Sequence, residues 1–256
     1  MIFRSRATVD LVLYRVFAEL RAESQRTYIG FVWWFIDPLV NMMVFYFIFS
    51  YVMKRGTDDY IPFLLTGMVV WKWFGSTLPG GANSIRANAG LMSQVYLDKS
   101  IFPLTILLVN GAKFVIALGL LTIFLILYGY DVTRYYAALP AILIVHFFAT
   151  LGPTLILAAV VPFLPDINLL LENVLRILFF LSGIIFPIGQ LGGWAKTMLY
   201  LNPMVILIES YRDVLMYQRW PSFEGLGVLL VASLALFTVG QVLIRLFDHE
   251  YPKVTM

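Results

Sequence analysis

Residues 25–53, QRTYIGFVWWFIDPLVNMMVFYFIFSYVM, decide the class of this chain. The segment passes from Arg26 into 23 residues, 31–53, whose only charged side chain is Asp37. About 20 helical residues at ~1.5 Å each match the ~30 Å hydrocarbon core of a bilayer, so this stretch is long enough to cross one. It opens on a cluster of aromatics, Tyr28, Phe31, Trp33, Trp34 and Phe35, and carries Asp37, Pro38 and Asn41. A helix facing only lipid would avoid those last three, because intramembrane polar groups are costly and turn toward a bundle interior or a watery path.

The whole chain has the same character. Its 256 residues are 61% hydrophobic and 13% charged, with mean hydropathy +0.85, about half the charge of an ordinary globular domain. This is the composition of an integral membrane protein. No cysteine is present, so disulfides and thiolate metal sites are excluded, and two histidines, His146 and His249, leave little for a metal centre. A net charge of +3 is modest for a nucleic-acid binder and fits cytoplasmic flanks better.

Ahead of the first span, residues 1–30 carry Arg4, Arg6, Arg15, Arg21 and Arg26, while Val9, Val12, Leu13, Val16, Phe17 and Leu20 recur at helical spacing. That pattern predicts an amphipathic helix along the membrane surface rather than a cleaved signal peptide. Further apolar runs predict spans at 61–80, 101–130, 137–163, 167–188 and 226–244. The fold class is therefore all-α, with six transmembrane helices and both termini on one side. Counting Lys and Arg gives ten on the terminal side and six, Lys54, Arg55, Arg134, Lys196, Arg212 and Arg219, on the other. The positive-inside rule then puts both termini in the cytoplasm.

The connection 189–225 is too apolar for an exposed loop and too interrupted to span. Asn202 and Pro203 divide it into two short helical patterns, since the residue before proline disfavours helix and proline suits a first turn. Two short re-entrant helices at the outer face, carrying Trp194 and Tyr200, are predicted to rim a pathway, because non-helical backbone at that depth needs protein or water to cover it.

Catalytic signatures are missing. There is no P-loop, so the chain does not power transport itself, and there is no zinc-protease motif. Ser182-Gly183 lacks the leading glycine of an intramembrane serine nucleophile, since Phe180 stands there. His146, Thr150 and Thr154 form a stripe suited to interhelical hydrogen bonds. Asp37 suits either a structural cation pair or substrate contact. Glu172 and Arg176, at i and i+4, are ordered for an intrahelical ion pair, and Lys72 and Lys113 have stems long enough to snorkel. Trp33, Trp71 and Trp73 suit an interfacial belt, whereas Tyr46, Phe49 and Tyr51 lie deeper. With Trp33, Trp34, Asp37 and Asn41 they form the candidate channel lining, where aromatic faces let a glycan slide on its C–H surfaces.

Several motifs then point the same way. Residues 20–50 contain G-x-x-W-x-x-x-x-P-L as Gly30, Trp33, Pro38 and Leu39; residues 64–104 contain G-x-x-x-W-x-x-F, N-S-I and N-x-x-L-x-x-x-V-Y, the last as Asn88, Leu91, Val95 and Tyr96; and Asn202-Pro203 follows. These resemble ABC-2 type export permeases, closest to the transmembrane subunits that export O-antigen, capsular polysaccharide or teichoic acid. The resemblance covers nearly the whole chain as a single transmembrane domain, 1–256. Asp98 and Lys99 depart from the proline and arginine often found there, and Lys72 from a small polar residue.

That resemblance implies a homodimer, since six helices enclose too narrow a path for a glycan, together with two copies of a cytoplasmic ABC ATPase that binds ATP and Mg. This chain itself holds no cofactor and is not an enzyme. It implies a coupling helix at 84–100 that presents Asn88, Leu91, Met92, Val95 and Tyr96 to the ATPase, outer gate helices at 189–225, and a cell inner membrane location. The cargo would be a lipid-linked polysaccharide entering from the inner leaflet, and the alternative is a small drug or lipid. A membrane-embedded transferase or a self-sufficient channel finds less support.

Overall fold

In the computed structural model, which describes residues 6–25, 30–48, 59–92, 94, 97–190 and 192–251, the chain is all-helical, with no strand among the described residues. The helices are α1 (Arg6–Gln25), α2 (Trp33–Phe47), α3 (Tyr60–Ala82), α4 (Ser84–Ala87), α5 (Ala89–Met92), α6 (Ile101–Tyr128), α7 (Leu139–Val160), α8 (Ile167–Phe180), α9 (Gly193–Leu199), α10 (Pro203–Leu215) and α11 (Phe223–Leu246). Among the described residues, three segments are long and apolar enough to cross a membrane by length and composition: Ile101–Tyr128, Arg134–Val160 and Phe223–Leu246.

α3 forms the axis of the bundle, with α6, α7, α8 and α10 around it. Fifteen of its 23 residues are buried, so protein rather than lipid surrounds much of it and it can carry Thr66, Ser76, Thr77 and four glycines. Trp73, a belt residue by sequence, is instead a core residue at 6% exposure. Its indole Nε1 donates to the Leu107 carbonyl at 3.2 Å, and its ring stacks on Phe114 at 4.9 Å. A buried indole needs such an acceptor, and α6 supplies it.

α7 and α11 make the most extensive helix pairing. A Cβ added to Gly152 would lie 2.9 Å from Leu236 Cβ and 3.1 Å from the Phe237 nitrogen, and one added to Gly240 would lie 2.6 Å from Leu155 Cβ. With no hydrophobic drive between helices in lipid, backbone approach at small residues supplies the van der Waals contact that joins them. Ser222 caps α11 by accepting from the Gly225 N–H at 3.2 Å, with Glu224 in the first turn and Arg245 in the last, as the helix dipole favours.

The structure revises the predicted role of the His146 stripe. Thr150 and Thr154 donate to carbonyls of their own helix, at His146 and Thr150, by 2.9 and 2.7 Å, so neither hydroxyl bridges helices in this way. Only His146 crosses, its Nδ1 standing 3.4 Å from the Tyr211 hydroxyl, and it lies fully buried against Trp73 and Phe114.

α1 packs along α6. Arg15 packs over Phe102 at the start of α6, 4.7 Å from the ring centroid, while Glu23 meets Lys113 three turns further along α6 at 2.5 Å. The two helices therefore run side by side in the same direction. Of the predicted apolar stripe, Val12 and Val16 are buried, and Leu13 and Phe17 remain exposed.

Candidate functional site

Two adjoining cavities open beside α3. The larger, about 660 Å³, lies between α2, α3, α6 and α8, with Trp71, Lys72, Arg176, Phe179 and Phe180 among its walls. The smaller, about 380 Å³, is bounded by Glu23 of α1, Trp33 and Trp34 of α2, and Asn110, Lys113 and Phe114 of α6. Val69, Lys72, Ser76 and Ala117 line both, so the cavities share one wall and form a single cleft.

Of the residues expected to line a channel, Trp33 and Trp34 border the smaller cavity and Asn41 the larger. Asp37 and Tyr46 lie on α2 with side chains outside the described residues, as Phe49 and Tyr51 are entirely. Much of the described aromatic surface comes instead from α3 and α8: Trp71 meets Phe179 edge-on at 5.8 Å, and Phe180 follows. Sequence reasoning missed Phe179 and Phe180 because phenylalanines on an apolar helix carry no mark of which face they occupy.

The cleft's charges are distributed unevenly. Lys113 is held by Glu23, at 2.6 Å to Oε1 and 2.5 Å to Oε2, so it ties α6 to the end of α1 rather than snorkelling. The expected pair Glu172–Arg176 is not formed: among the described residues the ion pairs are Lys99–Asp248, Lys113–Glu23 and Arg219–Asp213. Both side chains are exposed, where such a pair gains little against its side-chain entropy, and Arg176 borders the larger cavity.

At the α4 end, among the described residues of the segment expected as one helix over 84–100, helix is confined to α4 and α5, and residues 97–100 are non-helical. Local bonds interrupt it. Asn83 Nδ2 donates to the Pro79 carbonyl at 3.0 Å and Asn88 Nδ2 to the Ser84 carbonyl at 2.8 Å, drawing these turns back on themselves. Arg15 Nη2 donates to Asn88 Oδ1 at 2.6 Å, which joins α1 to this segment. Leu91 is exposed and Met92 buried, while Val95 and Tyr96 lie outside the described residues. Lys99, counted by sequence as a loop charge, is 4% exposed and pairs with Asp248 at 2.9 Å, clasping the chain's C-terminal turn. Asn83 and Asn168 exchange two bonds of 3.0 Å each, which fixes the start of α8 beside the end of α3.

The opposite end explains why the predicted span 167–188 is helical only to Phe180. Fourteen helical residues reach about 21 Å at ~1.5 Å each, and the backbone then turns through 181–187. Buried carbonyls there need donors, and neighbouring side chains provide them. Asn202 Nδ2 donates to Ser182 Oγ at 2.8 Å and reaches the Leu181 carbonyl at 3.4 Å; Arg212 donates to the carbonyls of Gly183 at 2.8 Å and Ile184 at 3.1 Å; the Tyr60 hydroxyl donates to that of Ile185 at 3.0 Å. Arg212 also donates twice to the Phe63 carbonyl, at 2.9 and 3.2 Å. A Cβ on Gly67 would lie 2.8 Å from its Nη2, so the bare glycine leaves room for the guanidinium.

Arg212 is thus a buried, fully engaged cation, and it drops out of the charge count for outer loops. Asn202 also accepts from the Met204 N–H at 3.0 Å, with Pro203 at the first helical position, which begins α10 where the sequence predicts a break. α10 itself is a core helix with ten of thirteen residues buried, whereas Trp194 on α9 is 79% exposed. Tyr200 donates to Glu209 Oε2 at 2.6 Å, and burial together with that carboxylate raises its phenol pKa.

The chain is similar along its length to known export permeases. It is 29% identical over 245 residues to the O-antigen export system permease protein RfbA of Myxococcus xanthus, covering 95% of this chain and 94% of that one. It is 25% identical to the polysialic acid transport protein KpsM of Escherichia coli, covering 94% and 92%. It is also 28% identical to the capsule polysaccharide export inner-membrane protein BexB of Haemophilus influenzae, covering 90% and 88%. Residues 14–216 match the family model for ABC-2 type transporters, so this chain belongs to the ABC-2 type transporter membrane family.

Proposed function

We propose that this chain is the membrane permease of an ATP-driven exporter that moves a lipid-linked polysaccharide out of the cytoplasm. The observation that carries the proposal is end-to-end similarity to permeases named for O-antigen, polysialic acid and capsule export. The aromatic cleft between α2, α3 and α8 supports a sugar polymer, because Trp71, Phe179 and Phe180 offer ring faces without a deep specific pocket.

In this proposal the protein sits in the cell inner membrane with six spans and both termini cytoplasmic, and two copies face each other across the path. Two cytoplasmic ABC ATPases bind beneath α4 and α5, with α1 joined to that surface through Arg15 and Asn88. ATP binding and hydrolysis bias the dimer between closed and conducting arrangements by differential affinity for the two. Residues 189–225, with the carbonyls after α8 held by Asn202 and Arg212, form the outer gate as re-entrant helices.

Reconstitution with a cognate ATPase tests this. Lipid-linked polysaccharide should stimulate ATP hydrolysis and appear on the far side of the vesicle. Stimulation by small drugs alone, or flux without ATP, would overturn it.

A further inference from the structure

Lys99 and Asp248, buried together at the α4 end at 2.9 Å, both ride on closed turns. Three bonds fix residues 98–102: the Ser100 N–H donates to Asp98 Oδ1 at 2.9 Å, the Ile101 N–H to the Asp98 carbonyl at 3.1 Å and the Phe102 N–H to the Lys99 carbonyl at 3.3 Å. Lys99 therefore extends α6 as one rigid piece. Beyond α11 the backbone continues in the same way, the Asp248 N–H donating to the Arg245 carbonyl and the Tyr251 N–H to that of Phe247, each at 3.3 Å.

That last turn comes back to α7. Tyr251 is fully buried, and its hydroxyl donates to the Ala159 carbonyl, in the last turn of α7, at 3.3 Å. Phe163 packs against both Tyr251 and Phe247, with ring centroids at 5.4 and 5.0 Å. Among the described residues α6 and α11 do not pack side by side; each packs on α7. The ion pair thus ties together two helices that are otherwise joined through a third.

Stability explains such a pair poorly, because desolvation offsets the attraction and apolar side chains of similar volume hold a core at least as well. A buried pair can instead fix the register of the parts that carry its charges. The same turn of α6 also faces the α4 segment: Arg15 stands 4.7 Å from the Phe102 ring centroid and donates to Asn88 Oδ1 at 2.6 Å. Contacts therefore run without a gap from Asn88, between α4 and α5, to the ends of α11 and α7.

We infer that Lys99 and Asp248 are positioning residues that make α11, and α7 with it, move with the start of α6 when an ATPase displaces the α4–α5 segment. The inference rests on the permease proposal above and adds the joint that carries motion from the ATPase surface into the α7–α11 pair. Without the ion pair, α6 tilts and leaves α11 behind.

The test uses the full chain with its ATPase in nanodiscs, and ATP plus orthovanadate as the probe that traps the nucleotide-bound state. Because the chain contains no cysteine, Val231→Cys, on an exposed face of α11, carries one nitroxide per permease copy, and pulsed electron paramagnetic resonance reads the distance between copies. Trapping should shift that distance in the parent. Lys99→Met and Asp248→Ala should each lose most of the shift while the ATPase still co-purifies as with the parent, a combination that general destabilisation does not produce. Lys99→Arg should keep the shift, and Lys99→Asp combined with Asp248→Lys should restore it, which keeps the test decisive if a single neutral change fails to fold. Neutral variants that shift as the parent does would overturn the inference, as would a folded, ATPase-bound exchange variant that does not shift. A parent that recruits no ATPase removes the permease proposal and this inference with it, whereas a parent and neutral variants that shift alike remove this inference alone.

Discussion

Replacing Arg212 by methionine should loosen the outer end of the molecule by about 3 kcal/mol. Its guanidinium satisfies the carbonyls of Gly183 and Ile184 and adds to that of Phe63, and Cζ lies 3.3 Å from the centroid of the Phe63 ring. Methionine keeps the stem and removes every donor. Two buried carbonyls left without partners cost about 1–3 kcal/mol each, and the lost contact with the ring adds about 1 kcal/mol. Relief from burying a guanidinium offsets part of this, leaving the net near 3 kcal/mol. At ~2–4 °C per kcal/mol for a chain of this size, the melting temperature should fall by roughly 6–12 °C. Intrinsic fluorescence of the purified protein in detergent measures that. Because the chain contains no cysteine, Ser182→Cys provides a local reporter: Ser182 is 1% exposed, and a water-soluble maleimide should label it much faster once Arg212 is gone. Arg212→Lys should recover less than half of the loss, because one ammonium on a shorter stem cannot fork across three carbonyls. If Arg212→Met melts with the parent and leaves residue 182 protected, the carbonyls after α8 do not depend on this side chain.

Three further outcomes follow from the packing. Gly240→Leu should separate α11 from α7 and cost about 1–3 kcal/mol or more, because its Cβ alone would meet Leu155 Cβ at 2.6 Å; retention of the parent melting temperature would show that the crossing can relax. Asn202→Ala removes both the cap on Met204 and the bond to Ser182 and should cost about 1–2 kcal/mol, while Asn202→Asp, which keeps the cap but loses the amide donor, should fall between, as thermal melts would report. Leu91→Asp combined with Tyr96→Asp should abolish co-purification of an ATPase while leaving membrane insertion intact, and unchanged co-purification would remove the coupling assignment.

What was legible in the sequence is what depends on local chemistry. Length and apolar content announced a helical membrane protein, since a bilayer leaves the backbone few other ways to satisfy its polar groups. The break at Asn202-Pro203 was legible because capping and the geometry of proline act within a few residues. The motif spacing from Gly30 to Pro203 carried the family. Tertiary structure alone decided which side chains those helices turn toward one another. Arg212 counts as an outer loop charge until the carbonyls of Gly183, Ile184 and Phe63 are seen around it, and these lie 29, 28 and 149 residues away in the chain. Lys99 counts as a cytoplasmic charge until Asp248 closes on it, and Trp73 as a belt residue until Leu107 accepts its N–H. The expected fifth span stops at Phe180 because distant donors can hold the turn that follows. In a chain this apolar every helix face is greasy, so hydrophobic pattern loses its power to tell lipid from protein, and polar side chains acquire meaning only from partners that the fold brings to them.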